Sequence, residues 1–352
     1  MQKNNELSGV KEIARRANVS IATVDRVIHN RSGVSAKTKE KIEAIIKEMD
    51  YKPNLLARSL ASKKNFRIAV LIPRESPETE YWKAPLEGIN RAWSEIRMYG
   101  VEVVFFHYEL NDRQTFNSAS SNILNDSFHG VILAPSFISE ALEFFYKCEA
   151  KRIKCVFINS DISNVTPLSY IGPDLFQSGK LAGNLSKYLI PDGGNILIFN
   201  VSRELGAEHH LLKKATGFKS YFEENKLASR VDMLTVHRTD YDSIMVELEN
   251  YLRYNPVDLL FVTNSRVSTV AKYFETNNIT NIKLIGYDYL SRNIEYLEKG
   301  IIDFLICQKP IEQGYKGLLT LYEYFIESGQ VDKVQLMPID ILTKENYKYY
   351  KN

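Results

Sequence analysis

Hydrophobic positions in the first 52 residues recur with the spacing of short amphipathic helices. In the first helix, which Ser8 can cap, intervals of three and four place four apolar residues on one face: Val10, Ile13, Ala14 and Ala17. Asn18 tolerates the left-handed backbone conformation that a sharp turn needs, and Ser20 can cap a second helix. The pattern therefore predicts a helix, a tight turn and another helix.

The second helix has two chemically different faces. Val24, Val27 and Ile28 would point inward, whereas an outer face is left to Ile21, Ala22, Asp25, Arg26 and His29. A third helix would begin after Ser35 and carry Ile42, Ile45, Ile46 and Met49 on its inner face. Three such helices fit the helix-turn-helix geometry, in which the second helix enters the major groove of DNA. A plain helical bundle with a solvated basic face is the alternative.

A short segment after this head has the pattern of a hinge. Asn54 follows Tyr51-Lys52-Pro53 and can cap a helix from Leu55 to Ser62. A helix of about eight residues is marginal in water, so we expect it to form only against a partner chain or DNA. The predicted organisation is a helix-turn-helix head at 1–52, a hinge linker at 53–65 and a body at 66–352.

The body alternates apolar runs with amphipathic stretches, which is typical of an α/β fold with parallel sheets covered on both faces. The predicted strands lie at 68–72, 101–106, 131–133, 155–158, 196–199, 259–262 and 284–285, with helices such as 86–96, 175–189 and 267–274 between them. The length predicts two lobes with a cleft, and such sheets bind ligands at the carboxyl ends of their strands. We expect the chain to cross between lobes near 162–170, 289–292 and 328–332.

Composition and charge narrow the functional class. Of the 352 residues, 44% are hydrophobic and 25% charged, as in a soluble globular protein. No run approaches the roughly 18 apolar residues of a membrane helix, and the first residues lack the apolar run of a secretory signal, so a cytoplasmic location is expected. Residues 1–65 carry 14 Lys and Arg against 7 Asp and Glu, whereas the remainder is net acidic. A basic head on an acidic body indicates a polyanionic partner for the head.

Several kinds of site lack their usual sequence signals. Cys148, Cys155 and Cys307 have no CxxC spacing, and the six histidines have no metal-ligand spacing. Neither a phosphate-binding glycine loop nor a GxSxG nucleophile motif occurs. We therefore expect no zinc site, no cofactor and no enzymatic activity. Residues 343–352 carry no apolar heptads, so a homodimer is the simplest assembly.

The head resembles that of the lactose-repressor (LacI/GalR-type) transcription factors. The resemblance covers 10–27, Val34-Ser35, Tyr51-Lys52-Pro53-Asn54 and Ala57-Arg58-Ser59-Leu60. It implies that Ser20 and Thr23 hold phosphates, that Ile21, Ala22 and Arg26 face bases, and that Leu60 wedges into the minor groove, with His29, Asn54 and Ala57 completing the DNA-binding set. The alternative role for Leu60 is packing between two hinge helices. The alternative for Arg26 is a charge that is only solvated.

Two residues of the head depart from the commoner family pattern. Asn18 stands where glycine is usual, and this exchange suits a turn. Asp25 stands where a small hydroxyl residue is usual. A carboxylate near phosphates is repulsive, so Asp25 would accept a hydrogen bond from a cytosine amine, pair with a neighbouring arginine, or lower DNA affinity.

The body resembles the ribose-type, periplasmic-binding-protein-like sugar sensors, a two-lobed type I fold. The segments that carry the resemblance are 170–174 with 179–183, 285–288, 297–300, 308–310 and 313–315. It implies stacking of Tyr81 and Trp82 on a ring-shaped ligand and hydrogen bonds from Asn264, Asp288, Gln308 and Asn159 or Asp161, with Ser136 and Lys214 as further ligand-binding residues. Lys213-Lys214 replaces a common arginine, and Asn264-Ser265 replaces an Asn-Asp pair, which argues against a standard aldopentose.

Each ligand-binding role has a structural alternative. Asp288 could cap the helix that follows it, Trp82 could belong to the core, and Asn264 could fix a loop. Together the two resemblances predict a regulator, in the role of a repressor, whose affinity for a near-palindromic operator responds to a small sugar-like molecule in the cleft. A doubly wound enzyme and a solute-binding protein, each with an incidental basic extension, are the alternatives.

Overall fold

The computed structural model describes residues 9–28, 32–49, 65–76, 80–202, 209–238, 240–326 and 330–352. Ser8, His29, Asn54, Ala57 and Leu60, for which capping or DNA-binding roles are predicted, lie outside these ranges, as does the predicted hinge helix. The described helices of the body are α4 Lys83–Ile96, α5 Arg113–Leu124, α6 Ile138–Ala150, α7 Leu175–Ser186, α8 His209–Glu224, α9 Tyr241–Tyr254, α10 Val267–Thr276, α11 Ser291–Glu298 and α12 Pro310–Ile326.

The head contains the three predicted helices, α1 Val10–Ala17, α2 Ile21–Ile28 and α3 Ala36–Glu48. Asn18 ends α1 in the left-handed conformation, with φ 55°, and the Ser35 side chain accepts the Thr38 N–H to cap α3. A small core joins the helices, and its fully or nearly buried members are Ile13, Ala14, Ala17, Val24, Val27, Ile42 and Ile45. The interval pattern of the sequence therefore gives the correct inward faces.

The body is built on two six-stranded sheets. The strands of the first sheet are β1 Phe66–Pro73, β2 Val101–Tyr108, β3 Gly130–Leu133, β4 Lys154–Ile158, β5 Ser169–Gly172 and β11 Val334–Leu336. Those of the second are β6 Asn195–Val201, β7 Arg230–Val236, β8 Leu259–Val262, β9 Lys283–Tyr287, β10 Phe304–Cys307 and β12 Asp340–Leu342. The orders are β11-β5-β4-β3-β1-β2 and β12-β10-β9-β8-β6-β7, with every pairing parallel except β10 with β12. The predicted α/β class with two lobes is confirmed.

The crossings between the two sheets differ from the expected positions. The chain leaves the first sheet after β5, returns between β10 and α12, and leaves again between β11 and β12. The expected crossing at 162–170 was wrong because this stretch connects β4 to β5 within one sheet. The one at 289–292 was wrong because that stretch joins β9 to α11 within the second lobe. The one at 328–332 was placed too early, since β11 still pairs with β5.

One helix pair in each lobe packs at very close range, α4 with α12 in the first lobe and α7 with α8 in the second. A Cβ at Gly88 would collide with the backbone carbonyl of Ile311, and a Cβ at Gly179 with that of Lys214. Only glycine fits where helix backbones touch in this way. The second contact matters for the site, because it fixes the turn of α8 that carries Lys214.

None of the helices within the described ranges is long and apolar enough to cross a membrane. The same ranges contain no cluster of three or more His, Cys, Asp or Glu side chains that could hold a metal ion.

Candidate functional site

The exposed face of α2 carries the residues predicted to contact DNA. Ile21 is half exposed, and Ala22 and Arg26 are also exposed. The Ser20 hydroxyl accepts the Thr23 N–H at 3.1 Å, so Ser20 caps α2 as predicted. The Ser20 and Thr23 hydroxyl oxygens are 2.9 Å apart at the start of the helix. Helix N-terminal amides and hydroxyls attract phosphate oxygens, and the exposed residues beyond them are free to meet base edges.

An ion-pair network keeps two arginines of α1 engaged within the head. Glu12 accepts hydrogen bonds from the guanidinium groups of Arg15 and Arg16, and these bonds lower the pKa of Glu12 to about 2. Arg16 also reaches Glu48 on α3 at 3.2 Å. On α2, by contrast, Asp25 is half-buried and Arg26 is exposed. The network ties α1 to α3 and leaves Arg26 as the cation on the outer face of α2.

The predicted ligand-binding residues gather where the parallel strands end. Ser136 follows β3, Asn159 and Asp161 follow β4, Asn264 follows β8, Asp288 follows β9 and Gln308 follows β10. Tyr81 and Trp82 precede α4, and Lys214 lies on α8. Because the carboxyl ends of both sheets face the crossings, the side chains line a cleft between the lobes. The site location follows the rule for open α/β sheets.

The first lobe contributes a hydrogen-bonded wall. The Tyr81 hydroxyl donates to the Asn159 amide oxygen at 2.6 Å, and the Trp82 ring meets the Tyr81 ring edge-on at 5.1 Å. Asn159 has φ 69°, and its backbone N–H donates to the side-chain oxygen of Gln313 on α12 at 2.8 Å. Gln313 in turn donates to the backbone oxygen of Gln308. These bonds hold two aromatic rings and an amide in fixed positions.

The second lobe contributes two buried side chains that can carry charge, Asp288 and Lys214. Asp288 is 6% exposed and accepts a hydrogen bond from the Gln308 amide at 3.2 Å. Lys214 is 4% exposed, its ammonium lies 3.6 Å from the centre of the Tyr287 ring, and it donates to the backbone oxygen of Thr263 at 3.2 Å. Asn293 donates to the backbone oxygens of Tyr287 and Asp288. This last contact holds Asp288 in its left-handed conformation, φ 74°.

Burial changes the acidity of both charged groups. Desolvation raises the pKa of Asp288 to about 6, against the opposing influence of Lys214 and Gln308. Desolvation also lowers the pKa of Lys214 to about 8, and the charge of Asp288 limits that fall. A buried carboxyl with such a pKa gains from a ligand that donates hydrogen bonds to it. The pair is thus suited to hold hydroxyl groups.

The structure shows the surroundings of four further residues with predicted ligand-binding roles. Asn264 uses both ends of its amide in the local loop, donating to the Val201 oxygen and accepting the Arg266 N–H. Trp82 is 5% exposed and packs within the first-lobe core. The Ser136 hydroxyl lies 2.8 Å from that of Tyr108. Asp288 does not cap the next helix, since Leu290 precedes α11 and no side-chain cap forms there.

The body, over residues 68–328, matches the periplasmic binding protein domain family, and residues 9–54 match the bacterial regulatory proteins of the lacI family. The chain belongs to the periplasmic binding protein domain family, whose match covers most of its length. Its body is a periplasmic binding protein domain. Both resemblances found in the sequence are thereby confirmed, the one in the head by a family of regulatory proteins.

Several relatives with curated descriptions are named catabolite control protein A. The catabolite control protein A of Priestia megaterium is 24% identical over 86% of this chain and 96% of its own length. That of Staphylococcus aureus is 32% identical over 38% of this chain, and the chain spans 39% of that relative's length.

Solved structures share the fold of the body. A chain from Bacteroides fragilis assigned as a LacI transcriptional regulator aligns with TM-score 0.75 and 26% identity over 82% of this chain and 100% of its own. GanP, a glucose-galactose binding protein from Geobacillus stearothermophilus, aligns with TM-score 0.71 and 22% identity. The alignment covers 81% of this chain and 99% of GanP. A Burkholderia graminis solute-binding protein in complex with D-arabinose aligns with TM-score 0.73 and 17% identity. The alignment covers 82% of this chain and 99% of the solute-binding protein.

The structure also places three side chains next to the predicted ligand-binding residues that the sequence analysis did not assign to the site. Gln313 belongs to a segment that carries the resemblance, but its support of Asn159 depends on how α12 packs. Lys213, next to the predicted Lys214, forms an ion pair with Asp161 at 2.6 Å and so joins the two lobes. Tyr350 lies far along the chain from any segment with a recognisable signal, and its ring packs against that of Tyr289, the residue after Asp288.

Proposed function

We propose that this protein is a transcriptional regulator, acting as a repressor, whose affinity for DNA changes when a small sugar-like molecule binds between the two lobes. The observation that carries the proposal is the combination, in one chain, of an exposed α2 face beginning at Ser20 with a cleft in which the side chains of Asp288 and Lys214 are buried. The first is a surface for DNA and the second a site for a polar ligand.

The effector belongs to the class of neutral, hydroxyl-rich rings. We assign the ring face of Tyr81 to the apolar surface of the effector, with Trp82 packed behind it in the core, while Asp288 and Gln308 offer hydrogen-bonding groups that a hydroxyl can satisfy. The likeness to sugar-binding proteins that hold D-arabinose or bind glucose and galactose supports this class. The net charge of the buried pair is zero at neutral pH, which disfavours a strongly anionic ligand.

Ligand binding and DNA binding are linked through the lobes. A ligand held by residues of both lobes favours the closed arrangement, and the first lobe is the one that β1 connects to the head. In a homodimer, a change in lobe angle alters the spacing of two heads and hence the fit to a near-palindromic operator. The proposed place of action is the cytoplasm, where the operator is found.

A DNA-selection experiment with the full chain tests the proposal. We expect enrichment of a near-palindromic sequence, bound by the wild type with a strong salt dependence. Arg26→Ala should weaken binding to that sequence by about 1 to 3 kcal/mol, because a bidentate contact to guanine is lost. Arg97→Ala, in the body, is the matched control and should bind as the wild type does. Failure to enrich any sequence, with or without sugars present, would contradict the proposal.

A further inference from the structure

The segment 343–352 follows β12 and is anchored in the second lobe. The Asn346 side chain accepts the Thr343 N–H at 2.7 Å and donates to the Ile341 oxygen at 2.9 Å, which closes a turn. Tyr347 is 6% exposed and packs into the second-lobe core together with the ring of Tyr350. Tyr350 is therefore held by folded structure on both its backbone and its ring.

The ring of Tyr350 lies beside the cleft residues of β9 and β10. Its centre is 5.1 Å from that of Tyr289, and the Lys309 ammonium sits 4.3 Å from the ring centre. Lys309 also donates to the backbone oxygen of Lys351. Tyr289 and Lys309 each follow a cleft residue directly, and those two, Asp288 and Gln308, share a hydrogen bond. The segment thus places Tyr350 next to the centre of the site.

Two polar atoms at this place are buried without a hydrogen-bond partner, the Tyr350 hydroxyl oxygen and the Gln308 side-chain oxygen. Burial raises the pKa of Tyr350, and the charge of Asp288 adds to the rise, while the backbone of Lys309 opposes it. Tyr350 also contributes to the raised pKa of Tyr81 from the first lobe. The ring that carries this hydroxyl packs against Tyr289 and Lys309, the residues that follow Asp288 and Gln308. Buried polar groups in native proteins normally have partners, so this pair calls for one.

We infer that the Tyr350 hydroxyl is a ligand-binding group that donates a hydrogen bond to an oxygen of the effector, while the Gln308 oxygen accepts one from an effector hydroxyl. A donor and an acceptor that both lack a partner suit a group that both gives and takes hydrogen bonds, as an alcohol does. The inference rests on the proposed function and adds a determinant of specificity from the 343–352 segment.

The first test needs no ligand. A buried hydroxyl that has no partner destabilises the unliganded fold, so its removal should be stabilising. We expect Tyr350→Phe to raise the Tm of the full chain by about 1 to 3 °C. Tyr349→Phe, next to it and 84% exposed, is the control and should leave the Tm unchanged. A lower or unchanged Tm for Tyr350→Phe would mean that the hydroxyl has a partner in the protein, which would overturn the inference.

The second test uses calorimetric titration with D-glucose, D-galactose, D-allose and D-arabinose. For the sugars that bind the wild type, Tyr350→Phe should raise the Kd about 5- to 20-fold, the loss of one buried hydrogen bond. Tyr349→Phe should bind with the wild-type Kd. Equal Kd values for Tyr350→Phe and wild type would overturn the inference.

The two tests separate the inference from the proposed function. If none of these four sugars binds the wild type, none of them is the effector. The Tm comparison then still decides whether the Tyr350 hydroxyl lacks a hydrogen-bond partner within the protein. If sugars bind and Tyr350→Phe has no effect on Kd, the proposed function stands and the role of Tyr350 falls.

Discussion

At Asp288, burial and polar contacts have opposite effects on the pKa of one carboxyl group. Its carboxyl is buried at the end of β9, where desolvation favours the neutral acid, while Lys214 and the Gln308 amide favour the carboxylate. Desolvation dominates, so the pKa is raised above its usual value. The group can therefore change charge within the range of pH in which proteins are studied, and its ionised form is the one that needs a partner from the ligand.

The raised pKa predicts a pH dependence of the unliganded protein. Because the folded pKa of Asp288, about 6, exceeds the unfolded value of 3.8, stability from this residue is fully present below about pH 4 and is lost as the pH rises through 6. Asp288→Asn should remove this loss, so the difference in free energy of unfolding between variant and wild type should change by about 1 to 3 kcal/mol between pH 4 and 7. Urea unfolding at a series of pH values measures it.

An exposed carboxylate provides the contrast for that measurement. Asp126 accepts a hydrogen bond from Arg67, which lowers its pKa. Its contribution to stability is present above the unfolded pKa and is lost as the pH falls, so Asp126→Asn should change the pH profile in the opposite direction. Identical profiles for Asp288→Asn and wild type would show that Asp288 titrates normally.

At the scale of elements, the site depends on how closely helices approach each other. The α7–α8 contact at Gly179 fixes the turn of α8 on which Lys213 and Lys214 lie. One of these lysines enters the cleft and the other pairs with the opposite lobe. A neighbouring pair of identical residues thus takes two different roles, set by which way each faces on the helix.

A methyl group at this contact should disturb both stability and binding. Gly179→Ala should cost about 1 to 3 kcal/mol of unfolding free energy, since its Cβ would collide with the Lys214 carbonyl and push the helices apart. Sugar binding should weaken as Lys214 moves. Gly317→Ala on α12, where a Cβ would lie 3.3 Å from an Ile158 methyl, is the control and should stay within about 1 kcal/mol of wild type. Chemical unfolding measures the free energy of unfolding, and calorimetric titration measures the affinity for sugars. Equal stability of the two variants would contradict the close-contact argument.

At the scale of the whole molecule, function requires the two lobes to act as one. The chain passes three times between the sheets, after β5, after β10 and after β11. The Asp161–Lys213 ion pair adds a contact across the cleft that lies outside these connections. Such a pair exists only while the lobes are close, so it favours the arrangement that a bound ligand also favours.

Removal of this ion pair should shift the lobes toward the open arrangement. We expect Lys213→Met to weaken sugar binding about two- to five-fold, a modest change because the pair is partly exposed to solvent. The wild type should lose affinity with rising salt more steeply than the variant does. Lys219→Met on the same helix is the control. Titration at two salt concentrations measures the affinity for sugars, and small-angle scattering measures the radius of gyration. Wild-type affinity and radius of gyration for Lys213→Met would refute the prediction.

Much of the fold could be predicted from periodicity alone. The head helices, the buried central strands and the two-lobed class follow from intervals of three and four and from apolar runs. The prediction missed β5, β7, β10, β11 and β12. β7 lies at a sheet edge and is half-buried, and β11 has three residues with partly exposed side chains, so neither has the continuous apolar run of a central strand. The crossings were misplaced because Pro and polar residues mark loops within a lobe as well as between lobes.

Neighbouring residues in the sequence are enough to place the local features: the α1–α2 turn at Asn18, the cap at Ser20, the apolar faces, and the strand ends at which Asn159 and Asp288 stand. These depend on neighbours within a few residues, where spacing and propensity are decisive. The contacts of Lys213 with Asp161 and of Tyr350 with Tyr289 arise only in the folded chain, because residues more than fifty positions apart are brought together by packing, which no local pattern encodes.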